Sequence, residues 1–154
     1  MNNFLFGDET RQYYETICGG TGAGPGFDGV AAIQTHMTNT RMTDPEVFEL
    51  RYPVRLEKFG IRRGSGGDGQ WHGGDGAERR VRFLEPMTAI IVSSRRNVAP
   101  FGLAGGADGL RGEQWVERAD GTKEVLTGTD KAEMRPGDLF AILTPGGGGY
   151  GASG

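Results

Sequence analysis

Residues 113–143 read EQWVERADGTKEVLTGTDKAEMRPGDLFAIL. Trp115-Val116 and Val125-Leu126 flank Asp120-Gly121, a dipeptide suited to the left-handed backbone of a tight hairpin turn. Pro136-Gly137-Asp138 then punctuates the chain ahead of the apolar strand Leu139–Leu143. The same grammar extends towards the N-terminus. The run Met87–Val92 is continuously apolar, which predicts a fully buried strand, and Val81 and Phe83 alternate with arginines, which predicts a half-buried one. Val54, Leu56, Phe59 and Ile61 also alternate, with a slip at Lys58 that fits a bulge. Phe4, Phe6, Tyr13, Tyr14 and Ile17 fit two short strands or a hairpin about Gly7-Asp8.

One segment has helical punctuation. Thr43-Asp44-Pro45-Glu46 offers Asp44 as a cap with Pro45 in the first helical position, or Thr43 as a cap closed by Glu46. Pro53 forces Tyr52 towards extended geometry, so this helix ends near Leu50. Val30–Ile33 is too short to separate a strand from a helical turn. The expectation is a mainly β fold, sandwich- or barrel-like, with long glycine-rich loops and one short helix, forming a single domain over 1–154.

The 154 residues include 29 glycines and seven prolines. The glycines cluster between apolar segments, as in a loop-rich folded domain and unlike a flexible linker. A net charge of −3 leaves no electrostatic footprint for nucleic acid or an anionic membrane. The arginines at 62, 63, 79, 80 and 82 read as solvated strand faces or partners of nearby carboxylates. One cysteine excludes an internal disulfide framework, and with two histidines it gives no metal-ligand spacing. No apolar run approaches a membrane span and no signal peptide is legible, so a cytoplasmic protein is expected. The chain enters a strand-like pattern at once, which suggests a segment of something larger.

Chemistry concentrates in residues 18–51. Six of the eleven residues from Gly19 to Gly29 are glycine, a run that weakens a fold unless backbone must approach something closely. Gly24-Pro25-Gly26-Phe27-Asp28-Gly29 matches a dinucleotide fingerprint literally, but no long helix follows it. Two readings stay open: a nest of backbone N–H groups for an anion, or a tight structural crossover. Beyond the loop lies Thr35-His36-Met37-Thr38-Asn39-Thr40-Arg41. His36 can act as acid or base near neutral pH, or serve as an ordinary hydrogen-bonded residue. Thr38, Asn39 and Thr40 can orient a carbonyl or phosphate, or satisfy their own loop. Asp28, Asp44 and Glu46 are acid candidates, although capping alone explains Asp44. Cys18 reads as a small buried hydrophobe, with nucleophile paired to His36 as the rival. Gly146–Gly149 with Tyr150 either returns to the site or ends a strand.

With these residues laid out, a resemblance becomes specific. NNFLFGDETRQYYETICGGTGAGPGFDG, THMTNTRMTDPEVFELRYPVR, GSGGDGQWHGGDG, FLEPMTAIIVSSRR, PFGLAGG and PGDLFAILTPGGGGYG resemble successive motifs of the hydantoinase B/5-oxoprolinase family, in the C-terminal portion of its B subunit or B half. The resemblance implies ATP-dependent opening of a cyclic amide or imide. The A-type part phosphorylates the ring carbonyl using ATP with Mg²⁺, and the B-type part hydrolyses the activated intermediate. It implies His36, Asn39, Arg41 and Asp28 as catalytic candidates. Gly20, Thr21, Gly22, Gly24, Gly26 and Thr38 become the loop that holds substrate or phosphate. B-type chains are several-fold longer, and a divalent metal is expected in their N-terminal portion, leaving no cofactor for this segment. The implied partners are the rest of the B subunit, an A-type subunit and a small cyclic amide, in an oligomer. A structural assembly module, or a piece of a related ketone carboxylase, are the alternatives.

Overall fold

A computed structural model describes residues 1–36 and 38–154. Nine strands form two antiparallel sheets. The first sheet runs β2 (Gln12–Thr16), β1 (Asn2–Gly7), β5 (Met87–Ser93), β8 (Thr129–Met134). The second runs β3 (Val54–Arg62), β4 (Gly76–Phe83), β9 (Leu139–Leu143), β6 (Glu113–Glu117), β7 (Lys123–Val125). The two sheets pack face to face as a sandwich and do not close into a barrel. Phe4, Phe6, Ala89 and Ile91 of the first meet Val81, Phe83, Val116 and Phe140 of the second. The Phe4 and Phe140 rings lie 4.9 Å apart and those of Phe6 and Phe83 5.3 Å apart, distances at which aromatic pairs add to simple burial.

Local expectations are met where the punctuation is strong. Gly121 turns the β6–β7 hairpin at φ +87°, with Trp115 opposite Val125. The register of β3 against β4 shifts between Leu56 and Lys58. The helix α1 (Pro45–Arg51) is capped by Asp44, whose carboxylate accepts from the N–H of Glu46 at 2.9 Å. Thr43 does not cap; its hydroxyl is hydrogen-bonded with Tyr13 Oη at 3.0 Å. Phe48 of α1 is buried against Phe6 and Tyr13, closing one end of the sandwich.

Three expectations need correction. The apolar run of β5 is not fully buried: Ala89 and Ile91 face the core, whereas Ile90 and Val92 point outward, 36% and 41% exposed. The sheet has packing on one face only, so the two-residue period decides. Their outward row pairs Ile90 with Leu5 and Lys131, and Leu5 with Tyr14. In β4, Arg79 is buried at 1% exposure and paired with Glu15, so of the two readings of the arginine run the solvated face is overturned there and the carboxylate partner holds. Val30–Ile33 forms neither strand nor helix; it is a turn with Ala32 at φ +46° and a single bridge from Ile33 to Gly19. The strand β8 carries no clear apolar alternation and was not legible beforehand.

The glycine-rich segments build a second packed region beside the sandwich. Residues 144–151 run through its centre, and Gly146, Gly147, Gly148 and Gly149 are all buried. Around them lie residues 19–30, 65–76 and 100–112. Hydrogen bonds run from Gly67 N to Gly147 O at 2.8 Å, Ala23 N to Gly148 O at 2.9 Å and Leu103 N to Gly149 O at 2.9 Å. The contact is backbone against backbone: a Cβ on Gly147 would sit 1.8 Å from Thr21 O.

Candidate functional site: a cleft beside the glycine bundle

The bundle forms one wall of a cleft of about 570 Å³, within the range of small-ligand sites. Gly19, Gly20, Gly22 and Gly146–Gly149 supply bare backbone, and Ile33, Phe101, Leu103 and Pro145 supply apolar surface. Thr35, His36, Thr38, Ser94 and Arg95 add polar groups. Among the described residues no aspartate or glutamate lines it.

The segment carrying His36 is tied at both ends. Gln34 Nε2 donates to Thr16 O at 2.6 Å, and Tyr13 holds Thr43. His36 is exposed and adopts φ +57°, a left-handed conformation that costs a non-glycine residue about 1–2 kcal/mol. Thr38 lines the cleft, but its hydroxyl donates to Thr35 O at 2.7 Å and closes a local turn. Met37 lies outside the described residues.

The other expected site residues divide clearly. Asn39 and Arg41 are exposed and do not line the cleft. Asp28 is also outside it, accepting from His72 N at 2.7 Å while Gly29 N donates to His72 O at 2.7 Å. That pair clamps two glycine segments together. Of the expected loop residues, Gly20 and Gly22 line the cleft; Thr21, Gly24 and Gly26 do not. The N–H groups of Gly20, Thr21 and Gly24 donate to Pro145 O, Val30 O and Phe27 O, as the crossover reading requires. Gly24 and Gly26 turn a tight loop in which a Cβ on Gly24 would strike the Phe27 ring at 2.4 Å.

Two backbone donors are left over. The N–H groups of Gly22 and Gly148 find no acceptor among the described residues. They are neighbours: Ala23 N bonds Gly148 O, and an added Cβ on Gly147 would come within 2.6 Å of Gly22 N. Gly22 is exposed, so water can satisfy its N–H, whereas Gly148 is buried. Buried backbone donors are ordinarily paired, so the open Gly148 N–H beside the cleft suits an anion or a developing oxyanion.

Cys18 belongs to the hydrophobic core and burial pushes its thiol up, which suits the buried hydrophobe better than a nucleophile. Sequence reasoning missed Ser94, Arg95, Phe101 and Leu103, whose segments carry no chemical pattern of their own. Gly146–Gly149 do return to the site. No described residues bring together three or more His, Cys, Asp or Glu side chains able to hold a metal ion.

Comparison with known proteins settles the lineage. The model of the family described as hydantoinase B/oxoprolinase matches residues 1–153. The chain belongs to the hydantoinase B/oxoprolinase family. It is 51% identical to 5-oxoprolinase 1 of Arabidopsis thaliana over 153 residues, covering 99% of this chain and 12% of that protein. It thus spans about an eighth of the length of that relative. Among solved structures, an ATP-dependent caprolactamase from Pseudomonas jessenii superposes with a TM-score of 0.78 at 22% identity, covering 97% of this chain and 28% of that one. A nucleotide-free acetone carboxylase gives 0.75 at 18% identity, covering 98% and 25%. At those identities the two structures share the fold of this hydantoinase B-type chain.

Proposed function

We propose that this domain is the C-terminal segment of a hydantoinase B-type chain and forms one wall of the B-side site of an ATP-dependent cyclic-amide hydrolase. The cleft holds the phosphorylated ring while water attacks. One observation carries this reading: among the described residues the lining combines an imidazole, a guanidinium and the open N–H of buried Gly148 with no carboxylate. Such a lining favours an anion and would be unsuited to a cation. The names of the relatives, 5-oxoprolinase and ATP-dependent caprolactamase, supply the substrate class.

The chemistry follows. An amide is a poor electrophile, and transfer of a phosphoryl group to its oxygen creates a leaving group. Water adds to the ring carbon, the C–N bond breaks as the ring nitrogen leaves with its electron pair and takes up a proton, and a second water cleaves the resulting acyl phosphate to carboxylate and phosphate. ATP with Mg²⁺ acts at the A-type partner. Here His36 takes the proton from the attacking water, the Gly148 N–H stabilises charge on oxygen, and the apolar wall seats the ring.

In an assembly of A-type and B-type chains carrying this domain, His36→Ala is expected to cut ring opening by roughly 10²–10⁴, the scale of a positioned acid–base group. ATP cleavage should fall much less, because the labile intermediate loses phosphate to bulk water. Phosphate and ring-opened product, measured side by side, decide the matter; equal loss of both, or of neither, counts against this site. A second reading, a docking module, draws on the exposure of Phe27, Val30, Ile33, Phe101 and Leu103, each above 40%. It predicts that His36→Ala leaves turnover near wild type.

A further inference from the structure

We propose that Arg95 is the anion-holding residue of this cleft, gripping a carboxylate or phosphoryl oxygen on the ring substrate; the assignment rests on the cleft reading above. Arg95 follows directly after β5 and its Ser93-Ser94 end. It adopts φ +60°, a backbone region that side chains seldom occupy without a compensating reason. It lines the cleft. Its guanidinium lies over the Phe101 ring at 5.4 Å, and Nη1 donates to Ala99 O at 3.3 Å. A guanidinium has five N–H donors, so the head is steadied while most of its donors stay open. No carboxylate lies within ion-pair distance among the described residues, whereas Arg11, Arg62, Arg79 and Arg118 each have one.

The neighbouring Arg96 strengthens the field. It is largely buried and donates to Ser94 O at 2.7 Å and Asn2 Oδ1 at 2.8 Å, two residues of the cleft lining. It too lacks an ion-pair partner, and its Nη2 has no acceptor at all among the described residues. Burial, then the proximity of Arg62, lower its pKa to about 10, which leaves it charged at neutral pH. Glu113 opposes the shift and is itself paired to Arg62 at 2.8 Å. Two guanidinium groups with no matching carboxylate thus stand at the Ser94 end of a carboxylate-free cleft. The glycine wall leaves room for a ring to lie close, and the fork of Arg95 suits bidentate pairing with an oxyanion.

The test uses the complete A-type and B-type assembly with 5-oxoproline as substrate. Arg95→Gly deletes the guanidinium and suits the backbone, since glycine takes φ +60° without strain; Arg95→Lys keeps the charge. If the ring carboxylate is held, Arg95→Gly raises KM roughly 10- to 100-fold, the scale of a lost charged hydrogen bond, with ATP cleaved per ring opened unchanged. If the phosphoryl group is held, KM stays and ring opening per ATP falls by a similar factor. Partial rescue by Arg95→Lys is expected in either case. Wild-type KM and coupling in Arg95→Gly would overturn the assignment, as would equal damage in Arg95→Lys and Arg95→Gly. His36→Ala separates the two claims. If it is harmless while Arg95→Gly behaves as described, the water-attack reading fails and the anion grip stands. If it uncouples while Arg95→Gly is silent, the grip alone fails.

Discussion

Arg79 and Glu15 are the least replaceable pair of side chains in the sandwich. Arg79 lies between the Phe48 and Phe59 rings, 5.2 Å from each centroid, and donates to Glu15 at 2.5 and 2.9 Å. Glu15 also accepts from Tyr13 Oη at 2.8 Å, the hydroxyl that holds Thr43 at the end of the His36 segment. Burial pushes the Glu15 carboxyl up while Arg79 and Tyr13 oppose it. Removing one partner leaves a buried charge alone, so Glu15→Gln should cost about 3–5 kcal/mol in chemical denaturation. Replacing both members with apolar residues should cost less; an equal or larger loss would count against this account. A carboxylate partner was one reading of the arginine run, but neither the burial of Arg79 nor the identity of its partner was legible, because Arg79 shares that run with exposed neighbours and Glu15 lies 64 residues away. Asp138 makes the acid-side prediction. Burial would raise its pKa, but Arg118 and the N–H groups of Arg135 and Ala119 win and hold it below its ordinary value of 3.8. Its contribution to stability is therefore present above about pH 4 and is lost as pH falls through the folded-state value. Asp138→Asn should flatten the acid limb of a stability–pH curve below pH 4 and leave its neutral slope unchanged.

Among the elements, the glycine bundle differs most from what its composition suggests. Clustered glycine in the sequence signals close approach, yet it cannot say what approaches. Here it is other glycine backbone, drawn from four stretches of chain, and pairwise fits of that kind leave no local pattern. The hairpin at Gly121 and the cap at Asp44 were legible for the opposite reason: each is decided within four residues. The bundle predicts a sharp contrast between glycines. A Cβ on Gly147 would meet Thr21 O at 1.8 Å and one on Gly73 would meet Gly147 O at 2.0 Å. Neither neighbour can yield, since both are backbone. Gly147→Ala and Gly73→Ala should each cost at least the roughly 1–3 kcal/mol of overpacking. Gly60 in β3 has nothing within 4 Å of the same position and no positive φ. Gly60→Ala should be neutral or stabilise by roughly 0.4–1 kcal/mol through the unfolded chain. Comparable losses at all three positions, by urea titration, would mean that the bundle is not close-packed.

At the scale of the whole molecule, the sandwich is complete as a core while the cleft is open on one side. The core side chains of both sheets are buried within the described residues. Around the bundle, Val98, Phe101, Leu103 and Leu110 are each more than half exposed, an apolar surface of the kind that marks an interface. The fold was legible because burial alternates inside single strands. The cleft was legible only in part, because its walls come from the ends of β2 and β5, the His36 segment and the bundle together. In the function proposed above, one imidazole, one guanidinium and the Gly148 N–H bind and orient an activated ring. It has no described group of side chains able to hold a metal ion, and the chain covers 12% of its Arabidopsis relative. The purified chain should therefore fold with a strand-dominated circular dichroism spectrum yet show no ATP-dependent opening of 5-oxoproline. Turnover should appear when the domain is joined to the remainder of a B-type chain and supplied with its A-type partner. In that assembly Val98→Glu and Leu110→Glu should weaken association. In the isolated chain the same changes should shift stability by no more than about 0.5 kcal/mol, as exposed positions do. Robust turnover by the 154-residue chain alone would overturn the partial-site account, and undiminished association in both variants would remove the interface.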